Sequence, residues 1–395
     1  MTQAAIAVEG EVAPGFGRVR DVFEAHVADA GEGGVAYAAY HDGRKVVDLR
    51  TAPWTEQTTP VWMSTTKAFT ATCVQLLSEA GSLDVDAPVC RYWPEFAAAG
   101  KETVSVADVM THRSGVLGAP ALTRLIDLTD GTGIDRTAEI TEILAAAEPV
   151  WEPGTQTGYH VLTYGWVLGE VIRRVDGRGL SDFFHDEVAV PSSAPNTRIG
   201  TPAELHDRIP RVVPMMWPDA APPAVREYME TVLAAARDPS TPAGVASIAR
   251  DGVSVLDAIA GVVNNPPGRT TALGGSNLAG PAAEVARIFG SLSMPGSLVS
   301  QRSTDAFTAV RNSDIDVVLG IPIARALGYW RNVAVAGRPQ VFGPNEEAFG
   351  HTGFGGQIGF ADPKARVGVG YVRSHLTGFG YVPLLLNAAL YESLG

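Results

Sequence analysis

The chain is poor in lysine and in cysteine. Its 395 residues include 4 lysines against 26 arginines, and the only two cysteines are Cys73 and Cys90. Two cysteines in apolar or mixed surroundings do not form a disulfide framework. Positive charge is also scarce overall, because the formal net charge is −13. This excess of acid argues against nucleic acid and anionic membrane surfaces as partners.

Signatures of several other protein classes are missing. No apolar run approaches the roughly 18 residues of a spanning helix, and the N-terminus lacks the basic and apolar segments of a signal peptide. We therefore expect a soluble, cytoplasmic protein. There is no Gly-x-Ser-x-Gly elbow, Walker A or Gly-x-Gly-x-x-Gly pattern. His-Glu-x-x-His, Cys-x-x-Cys and closely spaced histidine pairs are also absent, so we predict neither a metal nor a cofactor.

A serine and a lysine stand three residues apart at the start of an apolar helix. Residues 62–67 read Trp-Met-Ser-Thr-Thr-Lys and lead into an apolar run that stops at Gly81. A step of three places two side chains on one helix face, and a desolvated lysine can become a base whereas arginine cannot. We interpret Ser64 as a nucleophile and Lys67 as the group that takes its proton. From this segment alone, an N-cap serine with a solvated lysine fits equally well.

Hydrophobic patterns predict sheet at both chain ends and helices between them. Helices are expected over 16–30, 104–112, 137–147, 161–175, 282–292 and 382–394. Strands are expected over 34–40, 45–49, 355–360 and 367–372, and near 317–321, 326–330 and 340–343. We predict an α+β architecture in which residues 1–62 and 271–395 form the sheet domain and 63–270 a mainly helical domain, with the active site at their interface. The proline-rich stretch 191–223, which includes Met216 and Trp217, is expected to cover a pocket.

Three motifs in this order resemble the serine β-lactamase and penicillin-binding-protein-like superfamily. They are Ser64-Thr65-Thr66-Lys67, Tyr159 and His351-Thr352-Gly353, with supporting phrases at 81–89, 92–96 and 110–115. The resemblance runs from about residue 15 to the C-terminus and is strongest to class C β-lactamases, D-Ala-D-Ala carboxypeptidases and family VIII carboxylesterases. It implies a β-lactamase/transpeptidase-like fold, with an antiparallel sheet from both chain ends flanked by helices, plus an inserted all-helical domain.

The resemblance also implies roles for individual residues. Tyr159, or Tyr164 as the alternative, would bond the nucleophile and pass a proton to the leaving group, with a pKa lowered by the neighbouring ammonium. The backbone N–H groups of Ser64 and Phe354 would form an oxyanion hole. His351-Thr352-Gly353 would begin the strand along the cleft, where Gly353 lets the backbone approach the substrate. Further candidate substrate-binding residues are His160, Val161, Met216 and Trp217.

Two positions depart from the family pattern. His351 stands where many β-lactamases carry lysine, and a largely neutral histidine anchors a substrate carboxylate less firmly. Val161 stands where an asparagine usually binds the acylamide of the substrate, and valine cannot make that hydrogen bond. A valine wall suits an acyl or alkyl chain instead. Both departures favour esters over β-lactams and peptides.

Together these features predict a cofactor-independent, carboxylesterase-type serine hydrolase that cleaves small or short-acyl carboxylic esters through an acyl-enzyme on Ser64. The alternative is transfer of the acyl group to an amine or alcohol of a small metabolite, which differs only in the acceptor. β-Lactamase or D-Ala-D-Ala carboxypeptidase activity ranks third. A catalytically silent binding protein is a different class, which the presence of Ser64, Lys67 and Tyr159 disfavours.

Overall fold

One antiparallel sheet is built from the two ends of the chain. The computed structural model describes residues 6–30, 33–214, 223–335, 340–377 and 382–395. The strands are β1 (Val8–Val12), β2 (Val35–His41), β3 (Arg44–Thr51), β4 (Arg198–Ile199), β5 (Leu278–Ala279), β6 (Trp330–Arg331), β7 (Phe349–Thr352), β8 (Ile358–Asp362) and β9 (Val367–Arg373). The main sheet has seven strands in the order β1-β3-β2-β9-β8-β7-β6, and β4 pairs separately with β5. Strand β2 is therefore joined to β9 in the middle of the sheet.

Helices fill the middle of the chain and cover the sheet. They are α1 (Gly17–Ala30), α2 (Thr66–Glu79), α3 (Val106–Met110), α4 (Leu122–Leu125), α5 (Thr137–Ala146), α6 (Thr163–Asp176), α7 (Leu180–Phe184), α8 (Pro223–Arg237), α9 (Pro242–Ala246), α10 (Val255–Asn264), α11 (Pro266–Thr270), α12 (Ala282–Leu292), α13 (Gln301–Thr308) and α14 (Val382–Leu394). In the described part of the chain, none of these helices combines the length and apolarity needed to cross a bilayer.

Strand β9 carries glycine at alternate positions, which lets α12 lie directly on the sheet. A Cβ on Gly368 would stand 2.0 Å from the amide nitrogen of Gly290 in α12. Side chains of a strand alternate between the two faces. The opposite face meets α14, where the Tyr37 hydroxyl donates to Asn387 Oδ1 over 3.1 Å. The sheet is thus buried on both sides.

Helix α2 lies between the sheet and the helical part of the chain. Its Phe69 ring packs against Phe184 of α7, with centroids 5.8 Å apart, and against Phe289 of α12, at 4.9 Å. Just before α2, the Trp62 indole N–H donates to the Gly280 carbonyl over 2.8 Å. The helix ends where sequence predicted, because Gly81 adopts a φ of +73° that favours glycine. Packing on both sides fixes the start of α2, where Ser64 and Lys67 lie.

Most predicted elements are present, and the main differences lie in 310–343. No strand forms at 317–321 or 340–343, and the predicted strand at 326–330 is reduced to β6. In the first case the Asp316 carboxylate accepts the N–H groups of Val318 and Leu319, each over 2.8 Å, which bends the backbone into a turn. The predicted helix 104–112 is shorter, because His112 has a φ of +63°.

Further differences concern the inserted domain. It was predicted to be all-helical, but its strand β4 pairs with β5. Strand β1 was not predicted; most of its residues are exposed at the edge of the sheet, so it carries no strong apolar alternation. The proposed boundaries at 62/63 and 270/271 stay predictions.

Candidate active site

Ser64 lies on a short 3-10 turn, Met63–Thr65, that leads into α2. The preceding Met63 has a φ of +46°, a region that residues other than glycine rarely adopt. The Thr66 hydroxyl donates to the Met63 carbonyl over 2.5 Å and accepts the N–H of Leu278 over 2.9 Å. These bonds tie the strained turn to a neighbouring segment, so the serine is presented from a fixed backbone.

Lys67 is completely buried and its amine is held by three oxygen atoms. Nζ lies 2.9 Å from the Val161 carbonyl, 2.8 Å from the Gly275 carbonyl and 3.4 Å from Ser64 Oγ. Burial lowers the pKa of Lys67 well below its ordinary value of 10.5. A neutral amine has two N–H donors and one lone pair. When the amine is neutral, its two N–H groups go to the carbonyls, which can only accept, and its lone pair faces the Ser64 hydroxyl.

Tyr159 completes the group around the serine. Its ring centroid lies 4.6 Å from Lys67 Nζ, and its hydroxyl is close enough to Ser64 for the serine to lower its pKa. We expected a neighbouring ammonium to lower its pKa, but burial dominates and raises the pKa of Tyr159 above its ordinary value. The phenol therefore stays protonated. The alternative, Tyr164, instead donates its hydroxyl to the Lys67 carbonyl over 3.2 Å, so Tyr159 is the tyrosine beside Ser64.

The His351-Thr352-Gly353 motif lies at the end of β7 and forms one wall. His351 Nδ1 lies 2.6 Å from the Thr352 carbonyl, so Nδ1 carries a proton. Burial holds the pKa of His351 well below its usual range. Its ring packs against Trp330 at 4.7 Å and Tyr159 at 6.0 Å between centroids. The wall is therefore aromatic and uncharged.

Gly353 allows two backbone segments to approach closely, and its predicted approach to substrate stays a prediction. A Cβ at this position would stand 2.7 Å from the Trp62 carbonyl, so the glycine lets the end of β7 reach the backbone that precedes Ser64. The Thr65 hydroxyl also bonds the His351 carbonyl over 3.4 Å. The following residue, Phe354, is thereby brought beside the turn that carries the serine. Its role in an oxyanion hole stays a prediction.

His160 and Val161 contribute mainly through contacts inside the protein. His160 Nδ1 donates to the Gly158 carbonyl and Nε2 accepts from the Ser114 hydroxyl, each over 2.7 Å. Burial lowers the pKa of His160 to about 3. With both nitrogens engaged, this ring braces the loop. Its contact with substrate stays a prediction. Val161 is also largely buried and holds Lys67 through its carbonyl.

Two predicted substrate-binding residues, Met216 and Trp217, lie outside the described residues. The described end of the proline-rich stretch reaches Val213, whose carbonyl accepts the N–H of Leu376 over 3.1 Å. Leu376 contacts Gly355, two residues past Gly353. This contact brings the stretch to the β7–β8 turn. Its predicted function as a cover over the pocket stays untested.

Several residues of the site carried no recognisable sequence signal. Gly275 acts through its carbonyl, which motif searches based on side chains do not detect. Trp330 and the buried Asp316–Arg325 pair lie in a stretch that we predicted as strands. His112 packs its ring 4.8 Å from that of Tyr159 and accepts the His160 N–H on Nδ1 over 3.1 Å.

Fold and site together define a serine hydrolase with a β-lactamase/transpeptidase-like fold. The sequence profile of the Beta-lactamase family matches residues 19–384, so the chain belongs to that family. This membership confirms the resemblance drawn from the three motifs.

Individual relatives agree with this assignment. Esterase/beta-lactamase LipL of Mycobacterium tuberculosis is 32% identical over 384 residues, which cover 93% of this chain and 83% of that protein. A penicillin-binding protein homolog from Caulobacter crescentus has a TM-score of 0.81 at 31% identity, covering 98% of this chain and 100% of that one. A family VIII carboxylesterase has a TM-score of 0.80, also at 31% identity, with the same coverage.

Proposed function

We propose that this carboxylesterase-type serine hydrolase cleaves small or short-acyl carboxylic esters through an acyl-enzyme on Ser64. The observation that carries the proposal is the position of Lys67, whose buried amine lies 3.4 Å from Ser64 Oγ while two carbonyls take its N–H groups. Serine needs such a neighbouring base to become a nucleophile. The similar proteins named as esterases, LipL and the family VIII carboxylesterase, support the same activity.

Acylation uses the three grouped side chains. Lys67 Nζ takes the Ser64 proton as Oγ bonds to the ester carbonyl carbon, and the backbone N–H groups of Ser64 and Phe354 stabilise the resulting oxyanion. Collapse of the tetrahedral intermediate breaks the bond to the alcohol oxygen. The protonated phenol of Tyr159 gives that oxygen its proton, and the Lys67 ammonium restores the phenol. The alcohol leaves and Lys67 is neutral again.

Deacylation repeats the same proton movements with water. Water attacks the acyl carbonyl, Lys67 accepts its proton, and Ser64 Oγ leaves and recovers a proton from the lysine–tyrosine pair. The carboxylic acid product is released and the free enzyme is restored. An added alcohol or amine in place of water would give acyl transfer by the same route.

An uncharged wall supports esters as the substrate class. His351 is neutral and buried at 1% exposure, in the position where many family members carry lysine. Val161 offers a side chain without a hydrogen-bonding group. A substrate with a free carboxylate or an acylamide would thus lose a charge partner or a hydrogen bond on binding. A neutral ester with a short apolar acyl group loses neither.

Hydrolysis of p-nitrophenyl butyrate, compared with nitrocefin, tests the proposal. We expect ester turnover to exceed nitrocefin turnover, and intact mass spectrometry to show the butyryl group on Ser64. Ser64→Ala should abolish both signals, and Lys67→Arg should lower kcat/KM about 10²- to 10⁴-fold, because a guanidinium does not lose its proton. Full activity in Ser64→Ala would overturn the mechanism, and nitrocefin as the better substrate would overturn the ester assignment.

A further inference from the structure

A buried ion pair lies behind Tyr159 and takes no part in the chemistry described above. Arg325 and Asp316 have side-chain exposures of 1% and 0%, and Arg325 Nη2 lies 2.5 Å from Asp316 Oδ2. Withdrawing two charges from water is costly, and an apolar pair of similar volume is often at least as stable. Stability alone therefore does not account for this pair.

The second carboxylate oxygen joins the pair to the active site. Asp316 Oδ1 accepts the backbone N–H of Tyr159 over 3.1 Å, in addition to those of Val318 and Leu319. The adjacent Val317 N–H donates to the Thr157 carbonyl over 2.9 Å. The turn that starts at Asp316 therefore bonds two residues of the segment that carries the tyrosine: Thr157, just before Gly158, and Tyr159, just after it.

The remaining contacts of Tyr159 show what this bond controls. The ring lies between Lys67 Nζ, 4.6 Å from its centroid, and the His112 ring, at 4.8 Å, and its hydroxyl is close enough to Ser64 for the serine to lower its pKa. Rotation of the backbone at Tyr159 would shift the hydroxyl relative to the serine. The backbone N–H of Tyr159 is held by Asp316 Oδ1, which lies on a different segment of the chain.

The charges of Asp316 and Arg325 have opposing effects on the pKa of Tyr159, which agrees with a role of the pair in positioning the tyrosine. The Arg325 guanidinium lowers the pKa of Tyr159 and the Asp316 carboxylate raises it, so their influences on the phenol oppose each other. Burial raises this pKa more than either charge changes it. The pair therefore leaves the phenol protonated and acts through geometry.

We propose that Asp316 and Arg325 are positioning residues for Tyr159: the carboxylate holds the tyrosine backbone, and the guanidinium holds the carboxylate. This proposal rests on the proposed function, since it assigns Tyr159 a part in proton transfer. Displacement of a catalytic group by about 1 Å can lower a rate about 100-fold without affecting binding. Loss of the Asp316 bond should therefore lower kcat and leave KM nearly unchanged.

Two charge-balanced double variants distinguish an effect on the position of Tyr159 from an effect on the stability of the fold. D316L/R325M removes both the ion pair and the acceptor for the Tyr159 N–H, whereas D316N/R325M removes the ion pair but keeps an amide oxygen as acceptor. With p-nitrophenyl butyrate we expect kcat to fall about 10- to 100-fold in the first and to stay within about 3-fold of wild type in the second. Melting temperatures establish that each variant is folded at the assay temperature. If D316L/R325M does not fold, the smaller D316A/R325M replaces it.

A double-mutant cycle with Tyr159→Phe provides a readout that general destabilisation would not change. Once the phenol is absent, D316L/R325M should cause no further loss of kcat, because its effect passes through that hydroxyl. Equal kcat in the two double variants, or a full additional loss in the Tyr159→Phe background, would overturn the proposal.

R237M, which breaks the partly exposed Arg237–Asp257 pair between α8 and α10, is the matched control and should keep wild-type kcat. An inactive wild type would overturn the proposed function and this proposal together, whereas an active wild type with indistinguishable double variants overturns only this one.

Discussion

Gly165 of α6 lies so close to Gly275 that a Cβ on Gly165 would stand 2.4 Å from the Gly275 amide nitrogen. Non-bonded atoms do not approach each other this closely, so a side chain at Gly165 would displace the Gly274–Gly275 backbone. The Gly275 carbonyl is one of the two acceptors that orient the Lys67 amine, at 2.8 Å. The absence of a side chain at Gly165 therefore helps to hold in place the carbonyl that bonds the Lys67 amine.

Gly165→Ala should accordingly impair catalysis. Alanine favours a helix over glycine by about 1 kcal/mol, but here the clash moves the Gly275 carbonyl, and we expect kcat to fall about 10-fold or more. Gly169→Ala, one turn further along α6, is the matched control, because its Cβ would meet Leu180 at an ordinary 3.8 Å. That variant should keep wild-type kcat and melt at or above the wild-type temperature. Unchanged kcat in Gly165→Ala would contradict the assigned role of Gly275.

The dependence of kcat/KM on pH should follow the lysine. Because burial lowers the pKa of Lys67 and raises that of Tyr159, the active form has a neutral amine and a protonated phenol. Activity should fall as pH decreases through the lowered pKa of Lys67, and rise to a plateau that extends into mildly alkaline pH. Ester hydrolysis is measured with Ser64→Ala as the blank for spontaneous cleavage. A profile that peaks below about pH 6 would contradict this order of protonation.

Val161→Asn should shift selectivity toward β-lactams. The substitution restores an amide at the position where family members bind the acylamide, while the backbone carbonyl that holds Lys67 is retained. We expect the ratio of nitrocefin to p-nitrophenyl butyrate turnover to rise about 10-fold, which corresponds to one hydrogen bond of about 1.4 kcal/mol. Val161→Thr keeps the shape but lacks the amide, and serves as the control. An equal rise in both variants would show that polarity alone, not the amide, is responsible.

Buried histidines should make folding stability sensitive to acid. Burial lowers the folded-state pKa values of His112, His160 and His351 below the unfolded value of about 6.5. Below that pH the unfolded chain binds more protons, so stability is complete above it and declines as pH falls toward the folded values. Each group contributes a slope of about 1.4 kcal/mol per pH unit. Urea unfolding between about pH 6.5 and 4 should show a smaller slope in His160→Gln than in wild type; identical slopes would refute the contribution of His160.

Features with a local cause were predictable from the sequence. The apolar run after Ser64 predicted α2, and Gly81 marked its end, because helix periodicity and a positive φ depend on nearby residues alone. The order of the motifs led to the fold, since the family profile matches residues 19–384. Strands predicted at 317–321 and 340–343 were wrong because side-chain bonds, such as those of Asp316, override β propensity there.

Features that depend on contacts distant in sequence were not predictable. The direction of the Tyr159 pKa shift was wrong because burial, which the sequence does not report, outweighs the neighbouring amine. Gly275 and Arg325 reach the site only through the tertiary fold, 208 residues from Lys67 in the first case. The bonds of both His160 ring nitrogens to Ser114 and Gly158 likewise could not be predicted from its place next to Tyr159.

The arrangement of the central strands also determines when this enzyme can first become active during its synthesis. Strand β2 pairs with β9, so Val35 meets Arg373, and β2 has no partner on that edge until the chain has been synthesised through Arg373. Late pairing of distant segments makes folding slow and leaves apolar strand edges open to aggregation. A nascent chain that stops before β9 would therefore lack the platform against which α12 and α2 pack, and would become a target for chaperones or proteases.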